Sequence, residues 1–280
     1  MGRILSLLLA LVILASCSDG QAQKSNANQE DEGNTTEENE ETDEENNNEE
    51  STDQKKEEEE SDEVEEDQEP EPRYIMNEAW SFEPIDDAAK DVVLLTFDDA
   101  PDKYGLEIAQ TLHKLNAPAI FFVNGHFIDT EEKRKVLKEI HELGFPIGNH
   151  TMTHASLQEI SEEEQEAEIL DLNDEIEEIT GERPKFFRAP FGQNTELTEQ
   201  IAEDEEMLLM NWTYGYDWEA DYQDADSLAD IMVNTELLVP GANLLMHDRE
   251  WTAEAVPEIV DGFKEKGYEL LDPDYIQIEE

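Results

Sequence analysis

Two adjacent carboxylates, Asp98 and Asp99, directly follow a run of apolar and β-branched residues at 92–97. An unbroken run of this length is typical of a strand that is covered on both faces, as in a parallel sheet. A carboxylate pair at the exit of a buried strand is costly to desolvate, so such a pair usually holds a partner, a metal ion or a proton. The pair therefore indicates a reactive site, with the start of a solvated loop as the alternative.

Two histidines, His150 and His154, are four positions apart in the segment His-Thr-Met-Thr-His. On a helical turn this spacing places both imidazoles on one face, within reach of a single ion. Either Asp98 or Asp99 would complete a set of one carboxylate and two imidazoles. Three protein ligands leave a coordination position for water, which is typical of a catalytic rather than a structural zinc. The histidine pair alone is a weak signal.

Three further stretches carry polar groups that could work beside such a centre. Arg188 precedes a turn containing proline and glycine, Asp217 lies among the aromatic residues of 212–218, and His247 ends an apolar run. Each has a plainer structural alternative: a solvated arginine in a surface turn, an aromatic cluster in the core, and a satisfied core histidine. Exposed rings also stack on sugars, so the aromatic stretch is compatible with a sugar-binding groove.

The elements that must position these residues alternate between strands and helices. Apolar runs predict strands at 92–98, 119–124, 146–149, 185–188, 207–212, 243–246 and 268–271. Helical patterns lie near 104–115, 130–143, 161–179, 195–204, 226–237 and 252–266. Ser161 and Glu164 form a capping-box pattern before the third helix, and Gly144 and Gly181 stand where helices should end.

Polar residues collect at or just beyond the carboxyl ends of the predicted strands. They are Asp98, Asp99, Asn124, Asn149, His150, Arg188, Asp217, His247 and Asp248. In a closed (β/α) barrel these ends share one face, where catalytic groups gather, whereas an open sheet gathers only those near its switch point. The pattern favours an α/β fold with a (β/α) barrel of about seven parallel strands.

The first 17 residues have the form of a secretory signal. One basic residue, Arg3, precedes an apolar run that is too short to span a bilayer comfortably. The segment Leu-Ala-Ser-Cys ending at Cys17 resembles a bacterial lipobox, which implies cleavage before Cys17 and lipidation of its thiol. We therefore expect a lipid anchor on the extracellular face of a bacterial cell membrane. An ordinary signal peptide or a short uncleaved anchor is the alternative.

Residues 18–72 are almost entirely acidic and polar, so they cannot bury enough apolar surface to offset chain entropy. We predict a disordered acidic tether there, followed by one folded domain at 73–280. The formal net charge is −57, and about 50 of the 75 acidic residues lie beyond residue 72. A domain this acidic argues against nucleic-acid binding, because phosphate contacts need Lys and Arg.

Taken together, these stretches resemble the NodB-type polysaccharide deacetylases, carbohydrate esterase family 4. The family motif TFDDGP corresponds to Thr-Phe-Asp-Asp-Ala-Pro at 96–101 and H-[ST]-x-x-H to residues 150–154. R-x-P-[FY], D-W and L-x-H correspond to residues 188–191, 217–218 and 245–247. The resemblance covers about residues 91–275. It implies a distorted (β/α) barrel and removal of acetyl groups from N-acetylated sugars of an extracellular glycan, with N-acetylglucosamine of peptidoglycan as the expected substrate.

The resemblance also implies a divalent metal, zinc or alternatively cobalt. Asp99, His150 and His154 would be its ligands. Asp98 would be the general base, and an ion pair with Arg188 would position its carboxylate.

On the other side of the scissile bond, the resemblance implies that His247 protonates the leaving amine while Asp217 orients its imidazole. The backbone N–H of Phe191 would help to stabilise the oxyanion. Leu245 and Trp218 would line a pocket for the acetyl methyl group.

The sequence departs from the family pattern at two positions. Ala100 replaces a glycine, and its Cβ would crowd the loop if that loop needs a positive φ. Tyr214 stands where the first aspartate of D-x-x-D-W would lie. Two alternatives remain open: an O-acetyl esterase acting on xylan or a wall glycan, and a catalytically weak wall-binding lipoprotein.

Overall fold

The computed structural model describes residues 70–278. The predicted signal peptide, the lipidation site at Cys17 and the predicted tether up to residue 69 lie outside the described residues, so these remain predictions. Within residues 70–278, none of the helices combines the length and apolar character needed to cross a membrane.

Two sheets are built from the strands of the described region. β1 (Tyr74–Met76) and β2 (Phe82–Pro84) form an antiparallel hairpin. The other strands pair only in parallel, in the order β7-β6-β5-β4-β3-β8, and β9 pairs with the first two residues of β3. They are β3 (Val92–Ala100), β4 (Ile120–Val123), β5 (Ile147–Asn149), β6 (Phe186–Phe187), β7 (Leu208–Leu209), β8 (Ala242–His247) and β9 (Glu269–Leu270).

Helices follow the strands closely along the chain and cover the outside of the sheet. They are α1 (Gly105–Leu115), α2 (Glu131–Glu142), α3 (Glu162–Thr180), α4 (Glu196–Asp204), α5 (Ala225–Asn234) and α6 (Glu250–Glu265). Ser161 and Glu164 form the predicted capping box at the start of α3, and Gly181, with a φ of 86°, ends it. Local capping chemistry therefore sets the boundaries of this helix as predicted.

β3 lies at the centre of the sheet and is buried on both faces. Val93, Leu95 and Phe97 pack in one hydrophobic cluster beneath the helices, and Val92 and Leu94 pack in a second cluster on the opposite face. Successive residues of a strand point to opposite faces, so an unbroken apolar run is what a doubly covered strand requires. The prediction of a buried parallel strand here is confirmed.

The parallel sheet curls, and the chain after β7 brings its two edges together. From Met210 onward the backbone leaves β7 and approaches β8, where the N–H of Thr213 donates to the carbonyl of Asn243 at 2.7 Å. The N–H of Leu245 donates to the carbonyl of Tyr214 at 2.9 Å. A single parallel bridge between Tyr214 and Leu244 replaces a full strand pair at this seam. The predicted distorted (β/α) barrel is confirmed, although the strand predicted at 207–212 is only two residues long.

The hairpin of β1 and β2 was not predicted as strands. It packs on the parallel sheet, because the N–H of Phe82 donates to the carbonyl of Gly241 at 2.8 Å. Gln277 donates to the carbonyl of Tyr74 at 2.8 Å. The hairpin therefore joins the beginning of the described chain to the loop before β8 and to the chain's last described residues.

Candidate active site

A buried ion pair between Asp98 and Arg188 lies at the carboxyl ends of β3 and β6. An Nη1–Oδ1 distance of 2.7 Å separates the two groups, and both side chains are shielded from solvent. The same guanidinium donates to Thr96 Oγ1 at 2.8 Å and to the backbone carbonyl of Asn211 at 3.1 Å. Charge-assisted bonds of this kind hold a carboxylate firmly in one orientation. Arg188 therefore orients Asp98 and ties it to the seam of the barrel.

Asp99, His150 and His154 form a cluster beside this pair. One potential ligand atom from each lies within 4.8 Å of the others. The Nδ1 of His150 is 2.6 Å from the backbone carbonyl oxygen of Arg188. Because a carbonyl can only accept, Nδ1 carries the proton and Nε2 keeps a free lone pair. One carboxylate and two imidazoles are the donor set of a zinc-like site, so these residues fit a divalent metal.

The protonation states of this cluster also suit metal binding. Burial lowers the pKa of His150, which favours the neutral imidazole that can act as a ligand. Burial by itself would raise the pKa of Asp99, but neighbouring His247, His150, His154 and Arg249 together hold it below its usual value. A neutral imidazole beside an ionised carboxylate is the form in which this set binds a cation.

The two histidines reach each other through a loop rather than the helical turn expected from their spacing. Residues 150–156 contain no helix, and the ring centroids of His150 and His154 are 5.0 Å apart. Four non-glycine residues near the cluster have left-handed backbone conformations: Asp99 (φ 59°), Thr151 (φ 70°), His154 (φ 59°) and Phe191 (φ 60°). The helical geometry predicted for the pair is wrong, but the predicted proximity is observed.

His247, at the end of β8, forms a second charged pair with Asp217. The His247 Nδ1 is 2.7 Å from Asp217 Oδ1, while Asp217 Oδ2 accepts from the His247 backbone N–H at 2.6 Å and from Thr252 Oγ1 at 2.8 Å. Burial by itself lowers the pKa of His247, but the fully buried Asp217 carboxylate, together with Asp98 and Asp99, raises that pKa above its usual value. In the sheet register His247 lies opposite Asp98, so a proton acceptor and a proton donor flank one small region.

Aromatic rings stand at the rim of this region. Phe191 is 61% exposed and packs edge-on against His154, and Trp218 is 46% exposed and packs edge-on against His247. Both rings are therefore accessible to a ligand bound at the rim. Leu245 is buried, and it shares one face of β8 with His247 because the two are two residues apart.

Both departures from the family motifs fit without strain at the site. The left-handed residue at the end of β3 is Asp99 and not Ala100, which is buried in the main hydrophobic cluster. The crowding expected for a Cβ at a positive φ therefore does not arise.

Tyr214 is buried, and its hydroxyl donates to the carbonyl of Met232 at 2.7 Å. It serves the packing of α5 and is not a substitute for an aspartate.

The sequence patterns missed Arg249. Its Nη2 lies 2.7 Å from Asp99 Oδ2, although the two residues are 150 positions apart. They also missed the role of Asp248, which accepts from the backbone N–H groups of Lys103, Tyr104 and Gly105 at the start of α1. The one available signal was their position directly after His247.

Comparison with known sequences identifies one family. The polysaccharide deacetylase family model matches residues 86–209. A peptidoglycan-N-acetylglucosamine deacetylase of Bacillus cereus is 33% identical over 187 residues, which are 64% of this chain and 68% of that protein. A second Bacillus cereus protein of that description is 29% identical over 182 residues, which are 62% of this chain and 64% of its own, just under two thirds of its length.

Solved structures give the same fold. The structure of T48 deacetylase with substrate has a TM-score of 0.61 at 30% identity and covers 68% of this chain and 92% of that one. A carbohydrate esterase family 4 pseudoenzyme from Bacillus anthracis has a TM-score of 0.60 at 28% identity, covering 68% of this chain and 67% of that one. The fold is therefore shared by active and inactive proteins, and the side chains must distinguish them.

Proposed function

This chain belongs to the polysaccharide deacetylase family, and from that premise we propose that it is a metal-dependent hydrolase that removes acetyl groups from N-acetylated sugars of an extracellular glycan. The proposed substrate is N-acetylglucosamine of peptidoglycan. The observation that supports the proposal is that three features lie at the carboxyl ends of the strands. They are the ligand cluster, the buried Asp98–Arg188 pair and the His247–Asp217 pair.

The proposed metal ligands are Asp99, His150 and His154, and zinc is the proposed ion, with cobalt as the alternative. A bound divalent cation would supply electrophilic polarisation of the acetyl carbonyl and would acidify the attacking water. Every other step falls to the side chains around it.

Asp98 is the proposed general base. It accepts the proton of the attacking water as the new C–O bond forms. Its Oδ1 is taken up by Arg188, and its Oδ2 lies 3.5 Å from His150 Nε2, on the side of the ligand cluster. Oδ2 is therefore the oxygen placed to take the proton, and Arg188 holds the carboxylate in the orientation that this transfer needs.

His247 is the proposed general acid. Its Nδ1 is occupied by Asp217, so Nε2 is the nitrogen left to give a proton to the departing amine as the C–N bond breaks. The products are acetate and a free amino sugar. The Phe191 backbone N–H is proposed as an oxyanion donor, and Leu245 and Trp218 as the contacts of the acetyl methyl group. The two rings at the rim would stack on neighbouring sugars.

Acetate release from defined substrates tests this function. N-acetylglucosamine oligomers and purified peptidoglycan should release acetate, and release should stop on chelation and return when zinc or cobalt is added back. Preferential release from O-acetylated xylan would instead support the esterase alternative, because an ester leaving group needs less help from His247.

A silent wall-binding protein is the second candidate, since a structurally similar chain is a pseudoenzyme. All five side chains proposed for metal binding and proton transfer are present here with their partners in place, which favours an enzyme. Glycan binding and tightly bound metal without any acetate release would support the silent binder. We further propose that Cys17 carries a lipid that holds the domain at the outer face of the membrane.

A further inference from the structure

The least expected contact near the ligand cluster is the one between Arg249 and Asp99. The two carboxylate oxygens of Asp99 face different neighbours. Oδ1 lies 3.6 Å from His154 Nε2, within the ligand cluster, whereas Oδ2 lies 2.7 Å from Arg249 Nη2. The arginine thus occupies Oδ2 on one side, and Oδ1 is the oxygen that faces the ligand cluster.

Arg249 is itself held in place. It is the N-cap residue of α6, and its Nη1 donates to the backbone carbonyl of Asp248 at 3.0 Å. The Asp248 side chain is buried and accepts from the N–H groups of Tyr104 at 2.5 Å and Gly105 at 2.8 Å. A Cβ at position 105 would come within 2.8 Å of Asp248 Oδ2, so a larger residue there would displace this carboxylate. The start of α1 thus anchors the segment that carries Arg249.

The other two ligands in the cluster have different supports. His150 is held through Nδ1 by the carbonyl of Arg188, and the His154 ring packs edge-on against Phe191 at 4.8 Å. Asp99 is 16% exposed and sits at a left-handed turn, so its side chain needs a support of its own. Among the described residues, Arg249 is the cation that bonds to its carboxylate.

We propose that Arg249 is a positioning residue for the metal site: it binds Asp99 Oδ2 and leaves Oδ1 as a single, preoriented ligand oxygen. The inference rests on the proposed metal-dependent function. Partners that bond to a ligating carboxylate typically contribute 10–100-fold to metal affinity. Without Arg249 the carboxylate would rotate freely or present both oxygens.

This role opposes the simple electrostatic effect of the arginine charge. Removing a cation from the neighbourhood of a dication should strengthen binding of the dication, since like charges repel. A loss of metal affinity on removal of Arg249 would therefore show that the arginine acts by orienting Asp99 and not through its charge. Lys103 offers a matched control: it carries the same charge, its backbone N–H donates to Asp248, and its side chain pairs with Asp102 instead of Asp99.

The experiment is titration of zinc and cobalt into metal-free parent, Arg249→Ala, Arg249→Lys and Lys103→Ala proteins by calorimetry, with the visible absorption of the cobalt forms recorded in parallel. We expect Arg249→Ala to bind about 10–100-fold more weakly, with an altered cobalt spectrum. The metal affinity of Arg249→Lys should lie between those of Arg249→Ala and the parent, because an ammonium can bond to Asp99 Oδ2 but lacks the planar geometry of a guanidinium. Lys103→Ala should match the parent or bind slightly more tightly.

Unchanged or tighter binding by Arg249→Ala, with the parent's cobalt spectrum, would overturn the positioning role. Equal weakening of Lys103→Ala would overturn it too, since any cation in the region would then have the same effect. If the parent protein binds neither zinc nor cobalt, the proposed metal-dependent function itself is wrong, and the role of Arg249 does not arise. Melting temperatures confirm that each variant is folded; Arg249 is one-third exposed, so its loss should leave the fold intact.

Discussion

The guanidinium of Arg188 lies 2.7 Å from the carboxylate of Asp98, and solvent reaches neither side chain. The same guanidinium donates to the carbonyls of Met210 and Asn211, in the segment that joins the two edges of the sheet. One arginine thus orients the proposed general base and stabilises the seam of the barrel. The orientation of the proposed base and part of the support of the seam therefore depend on one buried arginine.

Replacing Arg188 should therefore be costly for folding as well as for activity. Arg188→Met leaves the Asp98 carboxylate buried without its partner, and loss of one member of a buried pair typically costs about 3–5 kcal/mol. Urea unfolding should show a fall of this size in the free energy of unfolding. The double variant Asp98→Asn/Arg188→Met should recover part of it, because no charge is then left unpaired. A loss below about 1 kcal/mol would show that water reaches Asp98 in solution.

The adjacent aspartates should respond differently to the same substitution. Asp99→Asn should lose most of the bound metal, since an amide oxygen is a poorer ligand for a dication than a carboxylate. Asp98→Asn should keep the metal but lose about 10²–10⁴ in rate, because an amide cannot accept the proton of the attacking water. Metal content and acetate release, measured on both variants, check the assignment.

Two results would contradict this division of roles. Retention of metal and activity by both variants would mean that the aspartates are solvated bystanders. Metal loss in Asp98→Asn together with metal retention in Asp99→Asn would mean that the two roles are exchanged.

Much of this fold could be predicted because its signals are local. β3 is an apolar run followed by charge, and α3 begins at the Ser161 capping box and ends at Gly181. The hairpin of β1 and β2 was missed because its three-residue strands are too short for an alternating pattern to be recognised. β7 was predicted too long because Met210 and Trp212 extend the apolar run, although the chain there crosses to β8 instead of continuing the strand.

The candidate site divides in the same way. Polar residues at strand ends predicted which groups would meet, since parallel strands present their carboxyl ends on one side. The contact of Arg249 with Asp99 depends on how β8 and α6 pack beside β3, and nothing local to either residue encodes it. The loop conformation that joins His150 to His154 could not be predicted either. A spacing of four residues is compatible with a helical turn and also with a loop that contains residues of positive φ.

The pH dependence of activity should depend on Asp217. This carboxylate raises the pKa of His247 above its usual value, and a general acid works only while protonated. Activity should therefore persist to higher pH than an ordinary histidine allows and fall as pH rises through the pKa of His247. In Asp217→Asn the effect of burial, which lowers that pKa, is opposed only by the more distant charges of Asp98 and Asp99, so the pKa of His247 should fall. The alkaline limb of the plot of log kcat/KM against pH should move to lower pH, and coincident alkaline limbs would exclude His247 as the acid.

Salt should stabilise the folded domain. About 50 acidic residues lie beyond residue 72, so self-repulsion is strong at low ionic strength. Raising salt shortens the Debye length from about 10 Å at 0.1 M to about 3 Å at 1 M, and the melting temperature should rise over this range. Because chloride and sulfate salts of sodium also differ in their effects on hydrophobic burial, both should be compared. A flat or falling curve in sodium chloride would show that the repulsion is already offset.

The proposed anchor has a simple test. Cys17→Ser should move the protein from the membrane fraction to the medium when it is expressed in a bacterium that lipidates secreted cysteines. Ser16→Ala, which keeps the cysteine and a small residue before it, is a suitable control and should remain in the membrane fraction. A Cys17→Ser protein that still sediments with membranes would refute lipidation as the means of attachment.

The left-handed residues around the ligand cluster have a consequence for attempts to engineer this protein. Asp99, Thr151, His154 and Phe191 each hold a conformation that costs a non-glycine residue of order 1–3 kcal/mol. Glycine at Thr151 would relieve one such cost without removing a proposed ligand, yet it would also loosen the loop that brings His150 and His154 together. Relief of backbone strain and placement of the two histidines therefore compete at this loop, and a screen for thermostability alone would tend to select variants with a looser ligand cluster.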